Sequence, residues 1–257
     1  PNKNYLNNKK IIKEIMPKIF LPSSFASQFV KDTNFLSNSK IETKLVNYPV
    51  EISKKKSTSN LVNKIKFDVK DKKIIFLGAQ DLREWRKGIH NFVNVISILN
   101  TRFEKFFEKL VFIVVGKDSS KILKDFKKNT ICIDNLKHSE LYEIYKMSDL
   151  IIIPSLQEWG SLMMSEAITL NKVVFAFDTG SSRDLITNNY NGFIFKPYDY
   201  SKIVSSIYSY INDPESFLKK KNQSFITSMY NRYDEEGLYG DLELNFPILI
   251  DPKTSSV

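Results

Sequence analysis

The sequence predicts an α/β protein built on a doubly wound, Rossmann-like parallel sheet. From Lys73 onward, short runs of β-branched and other apolar residues alternate with amphipathic stretches of helical periodicity. The strand-like runs lack the polar–apolar alternation of half-exposed strands, which indicates burial on both faces by helices. Six such runs follow one another. Ligands of sheets of this kind bind at the carboxyl ends of the strands.

The predicted elements follow in a regular order. Gly78 and Gly116 close the first two strands, and Ser139 is predicted to cap the third helix. The predicted strands are 73–78, 110–115, 130–133, 150–153, 173–177 and 193–195, and the predicted helices are 88–99, 118–126, 139–147, one from about 161, and 200–211.

The chain is predicted to divide into four parts. Residues 1–50 contain a strand at 18–23, a helix at 24–31 and a strand at 43–48, and one such βαβ unit cannot bury its own faces. Residues 51–72 hold seven lysines among Ser, Thr and Asn, which predicts a solvated linker. The predicted boundaries are 1–50 for an incomplete first unit, 51–72 for the linker, 73–213 for the main domain and 214–257 for C-terminal helices and a tail.

Composition excludes several classes of protein. The longest apolar runs, 111–115 and 150–153, are far shorter than the roughly 18 residues of a membrane span. A single cysteine, Cys132, excludes an intramolecular disulfide and a Cys-rich zinc site, and two histidines argue against a multi-histidine metal site. The net charge of +9 favours a phosphorylated ligand, an anionic lipid surface or nucleic acid as a partner. The alternative is that it only reflects a lysine-rich composition of the source genome.

The most informative segment is 154–168, which runs from a predicted strand into a helix. Glu158 lies in the loop and Glu166 about two turns further, on the helix. Gly160 and Ser161 place backbone N–H groups at the start of that helix, where anions bind. Carboxylates placed in this way can accept hydrogen bonds from sugar hydroxyls. The same sequence pattern also fits a solvated loop residue at Glu158 and a surface charge on the helix at Glu166.

Two further loops lie at the same edge of the predicted sheet. The segment 77–88 concentrates Arg83, Arg86 and Lys87 between a strand and a helix. Positive side chains at this place favour the binding of a diphosphate. The alternative interpretation is a basic surface loop. In 176–184, Gly180 permits a tight turn and the close approach of a ligand.

Taken in order, these segments resemble the C-terminal half of the retaining GT-B glycosyltransferases of group 1, family 4. Glu158 and Glu166 match the E-x7-E motif of that family, with Trp159-Gly160 in place of Phe-Gly, and Arg86-Lys87-Gly88 resembles its Lys-Gly pair. The resemblance continues through the following segments: 149–155, 172–180 and 191–197.

The resemblance implies the GT-B fold, with a doubly wound donor domain after a partial first Rossmann domain. It also implies a nucleoside-diphosphate-sugar donor, bound without a metal. By position, Lys87 and a nearby arginine would bind the diphosphate, Glu158 the donor sugar and Glu166 the ribose. The remaining implied contacts are the backbone N–H groups of Gly160, Ser161 and Leu162, and a base-binding position at Asn135 and Leu136.

The sequence also departs from the family pattern. Many members carry an arginine where Ala79 stands, so Arg86 or Arg83 is expected to replace it. Gly180-Ser181 with Asp184 stands where Gly-Gly followed by Glu is common. Residues 1–50 match only the last βαβ unit of the acceptor domain, so the chain is expected to be truncated at its N-terminus.

The function expected from this resemblance is transfer of a sugar, with retention, from a UDP- or GDP-sugar to a glycan or lipid-linked acceptor. We expect a role in cell-surface polysaccharide or glycolipid synthesis, catalysis by Glu158, Lys87 and Arg86, and no cofactor. We also expect a cytoplasmic location with peripheral contact to the anionic inner face of the membrane.

Other functions remain open. The chain could be a non-catalytic nucleotide-sugar- or glycan-binding module, or one subunit of a split transferase. A hydrolase using Glu158 and Glu166 as its carboxylate pair is a further alternative. Nucleic acid is not expected as a partner, because the sequence has no basic–aromatic recognition motif.

Overall fold

The computed structural model describes residues 19–32, 43–46, 48, 50 and 59–217, together with residues 3, 10, 11 and 14. Near the N-terminus, β1 (Ile19–Leu21), α1 (Ser24–Asp32) and β2 (Thr43–Leu45) form a βαβ unit. The two strands are parallel, with Ile19 opposite Thr43. The predicted strand–helix–strand order is therefore confirmed.

The main sheet has six parallel strands in the order β5-β4-β3-β6-β7-β8. Its strands are β3 (Lys73–Asp81), β4 (Leu110–Lys117), β5 (Thr130–Ile133), β6 (Leu150–Ile153), β7 (Val174–Phe177) and β8 (Gly192–Phe195). Because the strand order reverses between β3 and β6, a crevice opens at their carboxyl ends. The predicted doubly wound α/β fold is confirmed.

Helices connect the strands. They are α2 (Asn60–Asp68), α3 (Ile89–Arg102), α4 (Glu104–Phe107), α5 (Ser119–Ile122), α6 (His138–Met147), α7 (Leu162–Thr169), α8 (Ser182–Leu185), α9 (Tyr200–Asn212) and α10 (Pro214–Phe217). Short 3-10 turns lie at Trp85–Lys87 and Lys124–Asn129.

The core lies in two layers, one on each face of the sheet. Along β3, Ile75 and Leu77 pack into one layer, and Ile74 and Phe76 pack into the other, as the alternation of side chains along a strand requires. Helices α3 and α9 cover the first face, and α2, α6 and α7 cover the second. Burial on both faces explains why the strand sequences are apolar throughout.

The structure corrects the predicted linker. Residues 60–68 form the helix α2; its side chains Val62 and Ile65 are buried, and Ile65 packs into the second core layer. Val50, before it, and Val69, after it, join the same layer. Val62, Ile65 and Val69 are spaced as on one face of a helix, but the many lysines between and around them made the segment resemble a solvated linker. The four domain boundaries themselves stay a prediction, and residues 51–58 and 218–257 lie outside the described residues.

Two predicted helices differ from the structure, and a third begins where it was predicted. Helix α6 begins at His138 with Lys137 as its N-cap residue, not Ser139, and the Glu140 carboxylate accepts the Lys137 N–H at 2.8 Å. The predicted helix 118–126 is instead the short α5 followed by a 3-10 turn. Ser161 does cap α7, because its hydroxyl oxygen accepts the Met164 N–H.

Within the described residues, no helix combines the length and apolarity needed to cross a bilayer. Cys132 lies half-buried on β5, and its burial raises the pKa of its thiol.

Helix α2 gives a test of whether residues 60–68 pack as the structure shows. Ile65→Ala removes a buried side chain, so we expect the free energy of unfolding in urea to fall by about 2–5 kcal/mol. The exposed neighbour provides the control: Lys64→Ala is expected to change stability by less than about 0.5 kcal/mol. Equal effects of the two substitutions would mean that this segment is a solvated linker after all.

Candidate functional site

A cleft of about 670 Å³ opens at the carboxyl ends of the central strands β3, β4 and β6. This is the edge at which the sequence placed its candidate residues. Eight of the ten predicted residues line the cleft: Lys87, Asn135, Leu136, Glu158, Gly160, Ser161, Leu162 and Glu166. The side chains of Tyr48, Gln80, Asp134, His138, Tyr145 and Ser155 also line it.

An ion pair between Lys87 and Glu158 lies on the wall of the cleft. Lys87 Nζ donates to Glu158 Oε1 at 2.5 Å, and the Ser155 hydroxyl donates to the same oxygen at 3.0 Å. Arg86 Nη1 lies 3.5 Å from the other carboxylate oxygen. The side chains of Lys87 and Glu158 are only 22% and 11% exposed, so water screens this pair incompletely. Two cations and one carboxylate thus converge beside the cleft.

Local backbone geometry brings Lys87 to this position. The 3-10 turn Trp85–Lys87 ends at Gly88, which has φ 68° and starts α3. A Cβ on Gly88 would lie 1.8 Å from the Pro154 carbonyl oxygen, so only glycine allows the two loops to approach this closely. The Arg86 carbonyl accepts the Leu156 N–H at 2.8 Å. The loop after β3 and the loop after β6 are therefore joined through backbone contacts.

The loop after β7 supports Glu158 from the other side. Gly180 has φ 57°, and a Cβ there would lie 2.8 Å from Glu158 Cβ. The Thr179 hydroxyl oxygen accepts the Glu158 N–H at 3.4 Å, and the Ser181 hydroxyl oxygen accepts the Ser161 N–H at 3.1 Å. The predicted role of Gly180 in a tight turn is confirmed, and the turn fixes the loop that carries Glu158.

The N-terminal unit contacts the same loop. The Ser23 hydroxyl donates to the Trp159 carbonyl, and the Phe29 ring packs edge-on against Trp159 with 5.1 Å between centroids. The Ser24 N–H, at the start of α1, donates to Asp184 Oδ2 at 2.7 Å. Asp184, a departure from the family pattern, therefore holds the N-terminal unit against the main domain.

Glu166 is a buried carboxylate with two partners on α6. It is 3% exposed, and its Oε1 lies 2.8 Å from His138 Nε2. The Tyr145 hydroxyl donates to Oε2 at 3.1 Å. Burial, together with the negative charge of Glu166, raises the pKa of Tyr145 well above its ordinary value of 10.0. Both partners fix the direction of the carboxylate, and each carboxylate oxygen keeps a lone pair for a ligand hydroxyl.

The structure separates the two arginines that the sequence offered. Arg86 is next to Glu158, as described above, and also pairs with Glu84 at 2.5 Å. Neither arginine is in the cleft lining; the Arg83 guanidinium binds Asp81 and lies 3.3 Å from Asp118. Hydrogen bonds from Arg83 hold the pKa of Asp81 well below its ordinary value. Of the two, only Arg86 is placed beside Lys87 and Glu158.

Sequence reasoning missed His138, Tyr145 and Tyr48. His138 follows Asn135 and Leu136 by only a few residues and is one of two histidines, so its position after a strand was an available signal. Tyr145 lies on the buried face of α6, where the sequence pattern predicts a tyrosine that only packs in the core. Tyr48 comes from the N-terminal segment, and no local pattern links it to the cleft.

A metal site does not appear among the described residues: they contain no group of three or more His, Cys, Asp or Glu side chains placed to hold an ion. Whether the protein acts without a metal stays a prediction.

The sequence profile of the family described as "Glycosyl transferases group 1" matches residues 57–232. No curated protein matches the sequence. Solved structures do match, and three of them illustrate the likeness. A sucrose-phosphate synthase from Thermosynechococcus elongatus is 13% identical with a TM-score of 0.72, over 94% of this chain and 61% of that one.

The second is a glycosyltransferase from Rickettsia africae ESF-5, 18% identical with a TM-score of 0.73, over 98% of this chain and 68% of that one. The third is Anabaena HepE in complex with UDP and glucose, 16% identical with a TM-score of 0.69, over 95% and 66% of the two chains. The chain thus spans about 61 to 68% of the length of these three proteins. The predicted GT-B fold is confirmed by these likenesses.

The raised pKa of Tyr145 predicts how stability depends on pH. Above pH 10 the unfolded chain releases the phenolic proton while the folded chain keeps it, so this contribution is complete below about pH 10 and falls as the pH rises. We expect the free energy of unfolding of the wild type to fall more steeply than that of Tyr145→Phe, by up to about 1.4 kcal/mol per pH unit. Urea unfolding of the wild type and of Tyr145→Phe between about pH 8 and pH 11 measures this difference. Parallel curves throughout would contradict the assigned burial of Tyr145.

Proposed function

Because the chain belongs to the group 1 glycosyl transferases, we propose that its cleft binds a nucleoside-diphosphate sugar and that the protein transfers the sugar with retention to a glycan or lipid-linked acceptor. The single observation that carries this proposal is the Lys87–Glu158 pair, with Arg86 beside it, at the strand-order reversal of the sheet. One carboxylate suits sugar hydroxyls, and two cations suit a diphosphate. A nucleoside-diphosphate sugar presents both, because its diphosphate is attached at the anomeric carbon and a sugar hydroxyl is on the next carbon.

Each side chain of the cleft then has a distinct task. Lys87 and Arg86 bind the diphosphate, and Glu158 accepts hydrogen bonds from the donor sugar. The N–H groups of Gly160 and Leu162, at the start of α7, bind an anion as helix N-termini do, and the Ser161 N–H exchanges its present acceptor, the Ser181 hydroxyl, for the ligand. Glu166, held by His138 and Tyr145, binds the ribose hydroxyls. Asn135 and Leu136, which line the cleft after β5, cradle the base.

The proposed reaction needs little covalent chemistry from the protein. The acceptor hydroxyl attacks the anomeric carbon on the face from which the nucleoside diphosphate departs, and its proton passes to the departing phosphate oxygen. Negative charge that builds up on the leaving diphosphate is stabilised by Lys87 and Arg86, which are already positioned before the reaction. Attack and departure on one face retain the configuration at that carbon.

We propose a UDP- or GDP-sugar as the donor and no metal or other cofactor. The complex of HepE with UDP and glucose supports the first of these bases. Lys87 and Arg86 supply the positive charge that a divalent cation would otherwise bring to the diphosphate. Cell-surface polysaccharide or glycolipid synthesis is the proposed process, at the cytoplasmic face of the membrane.

A second candidate function is donor binding without transfer by this chain alone, as a module or as one subunit of a split transferase. The N-terminal βαβ unit is much smaller than the six-stranded main sheet with its helices, which suits an acceptor site completed by a partner chain. Both candidates require the same donor cleft, so donor binding is tested first.

Titration calorimetry with UDP- and GDP-sugars, the plain nucleoside diphosphates and inorganic pyrophosphate tests the cleft. We expect one base to be preferred and binding to survive EDTA. Loss of binding in EDTA would contradict the metal-free proposal, and no binding of any nucleotide would contradict the donor cleft.

Three substitutions separate the proposed roles by ligand. Lys87→Met removes a diphosphate contact and should weaken the nucleotide sugar and the plain diphosphate together, by about 10- to 100-fold. Glu158→Gln should weaken the nucleotide sugar but not the plain diphosphate, because it removes only sugar contacts and frees Lys87. Glu166→Gln should weaken both nucleotides and leave pyrophosphate unchanged.

Matched controls come from the opposite side of the protein. Lys105→Met and Glu108→Gln change the same side-chain types at exposed positions outside the cleft lining, so they should leave all affinities unchanged. If Glu158→Gln weakens the plain diphosphate as strongly as the nucleotide sugar, Glu158 does not face the donor sugar.

Retention is tested by proton NMR of the product formed from an α-linked donor, with water or any sugar that the protein accepts. The first product is expected to have the α configuration, because departure and attack share one face. A β-configured first product would exclude the proposed mechanism while leaving the donor cleft intact.

A further inference from the structure

The most exposed large apolar side chain in the described part of the protein is far from the cleft. Phe67, at the C-terminal end of α2, is 79% exposed. Successive residues of a helix are about 100° apart, which places Phe67 about 140° from Val62 and about 160° from Ile65. Those two residues are the buried face of α2. The phenyl ring therefore points away from the protein.

Lysines flank Phe67 in the sequence. Residues 64–73 hold five lysines and two aspartates, a net charge of +3 within ten residues. We call Phe67 and these lysines the basic face; its lysines are Lys64, Lys66, Lys70, Lys72 and Lys73, and all five are exposed.

Part of the positive charge is balanced by the protein itself. Lys66 pairs with Glu143, and Lys73 with Asp149, both at 3.1 Å. Their side chains are still 45% and 50% exposed. Lys72 Nζ donates to the Glu108 carbonyl, which is uncharged. The basic face thus keeps an excess of positive charge around an apolar ring.

The basic face lies at the amino ends of the strands. Lys72 and Lys73 lead into β3, and Lys72 shares a groove of about 460 Å³ with Lys128, just before β5. The donor cleft lies at the carboxyl ends of the same strands. At about 3.3 Å per residue, the length of β3 separates the two sites, so a surface that covers the basic face leaves the cleft open to water.

We propose that the basic face docks on an anionic lipid bilayer, with Phe67 inserted at the level of the headgroups and the lysines around it on anionic lipids. Aromatic rings favour this interfacial layer, and lysines near the surface of an anionic leaflet are attracted to it. The inference rests on the peripheral membrane contact proposed above and gives it a location on the protein. It does not require sugar transfer.

Sedimentation with vesicles tests this docking. We expect the protein to bind phosphatidylcholine vesicles containing about 30% phosphatidylglycerol, to bind pure phosphatidylcholine much more weakly, and to be released in about 0.5 M salt. Lys64→Gln with Lys70→Gln should weaken vesicle binding about 20-fold, and Phe67→Ser about 10-fold. These side chains are exposed, so the melting temperature should not change.

Controls use the opposite edge of the protein. Trp85→Ser removes another highly exposed aromatic ring, and Lys121→Gln with Lys202→Gln removes two charges; both variants should bind vesicles as the wild type does. The proposal is overturned if the wild type binds neither vesicle, or if the basic-face variants bind unchanged. It is also overturned if heparin competes and Phe67→Ser has no effect, since that indicates capture of any polyanion.

Donor titration of the same variants distinguishes the two proposals. The basic-face variants should bind the nucleotide sugar with unchanged affinity. Vesicle binding without donor binding would refute the proposed function alone, and donor binding without vesicle binding would refute the lipid surface alone.

Discussion

The structure of the candidate site depends on one ion pair, between Lys87 and Glu158, at the point where the strand order of the sheet reverses. Lys87 comes from the loop after β3, and Glu158 from the loop after β6. A largely buried carboxylate needs a compensating charge, and here Lys87, Arg86 and the Ser155 hydroxyl supply it. The same groups suit a sugar diphosphate, so the proposed donor would exchange these internal partners for its own groups.

The close approach of the loops makes this pair possible. Gly88 lets the turn after β3 pass the Pro154 carbonyl, and Gly180 lets the loop after β7 press against Glu158. Glu166 is held in a different way, by His138 and Tyr145 from α6, of which Tyr145 belongs to the second core layer. The two glutamates of one short motif therefore have separate supports. A change that loosens one need not disturb the other.

The two edges of the parallel sheet carry different side chains in this protein. The carboxyl ends of the strands carry the loops that approach a ligand, whereas the amino ends carry the lysines around Phe67. Because the two surfaces are separated by the length of the strands, lipid docking and donor binding need not compete. Of the 38 lysines and arginines of the chain, Lys87 and Arg86 lie beside the cleft and five lysines belong to the basic face.

The sequence by itself determined the order of strands and helices along the chain and the edge of the sheet at which most of the candidate residues lie. Uninterrupted apolar runs such as Leu150–Ile153 indicate strands covered on both faces, and Glu158, Glu166 and Lys87 follow from loops at one edge. Only the tertiary structure placed Arg86, not Arg83, beside Glu158, placed His138 on Glu166 and showed that residues 60–68 of the predicted linker form α2. These outcomes depend on contacts between residues far apart in the chain, which periodicity and composition within a short window do not contain.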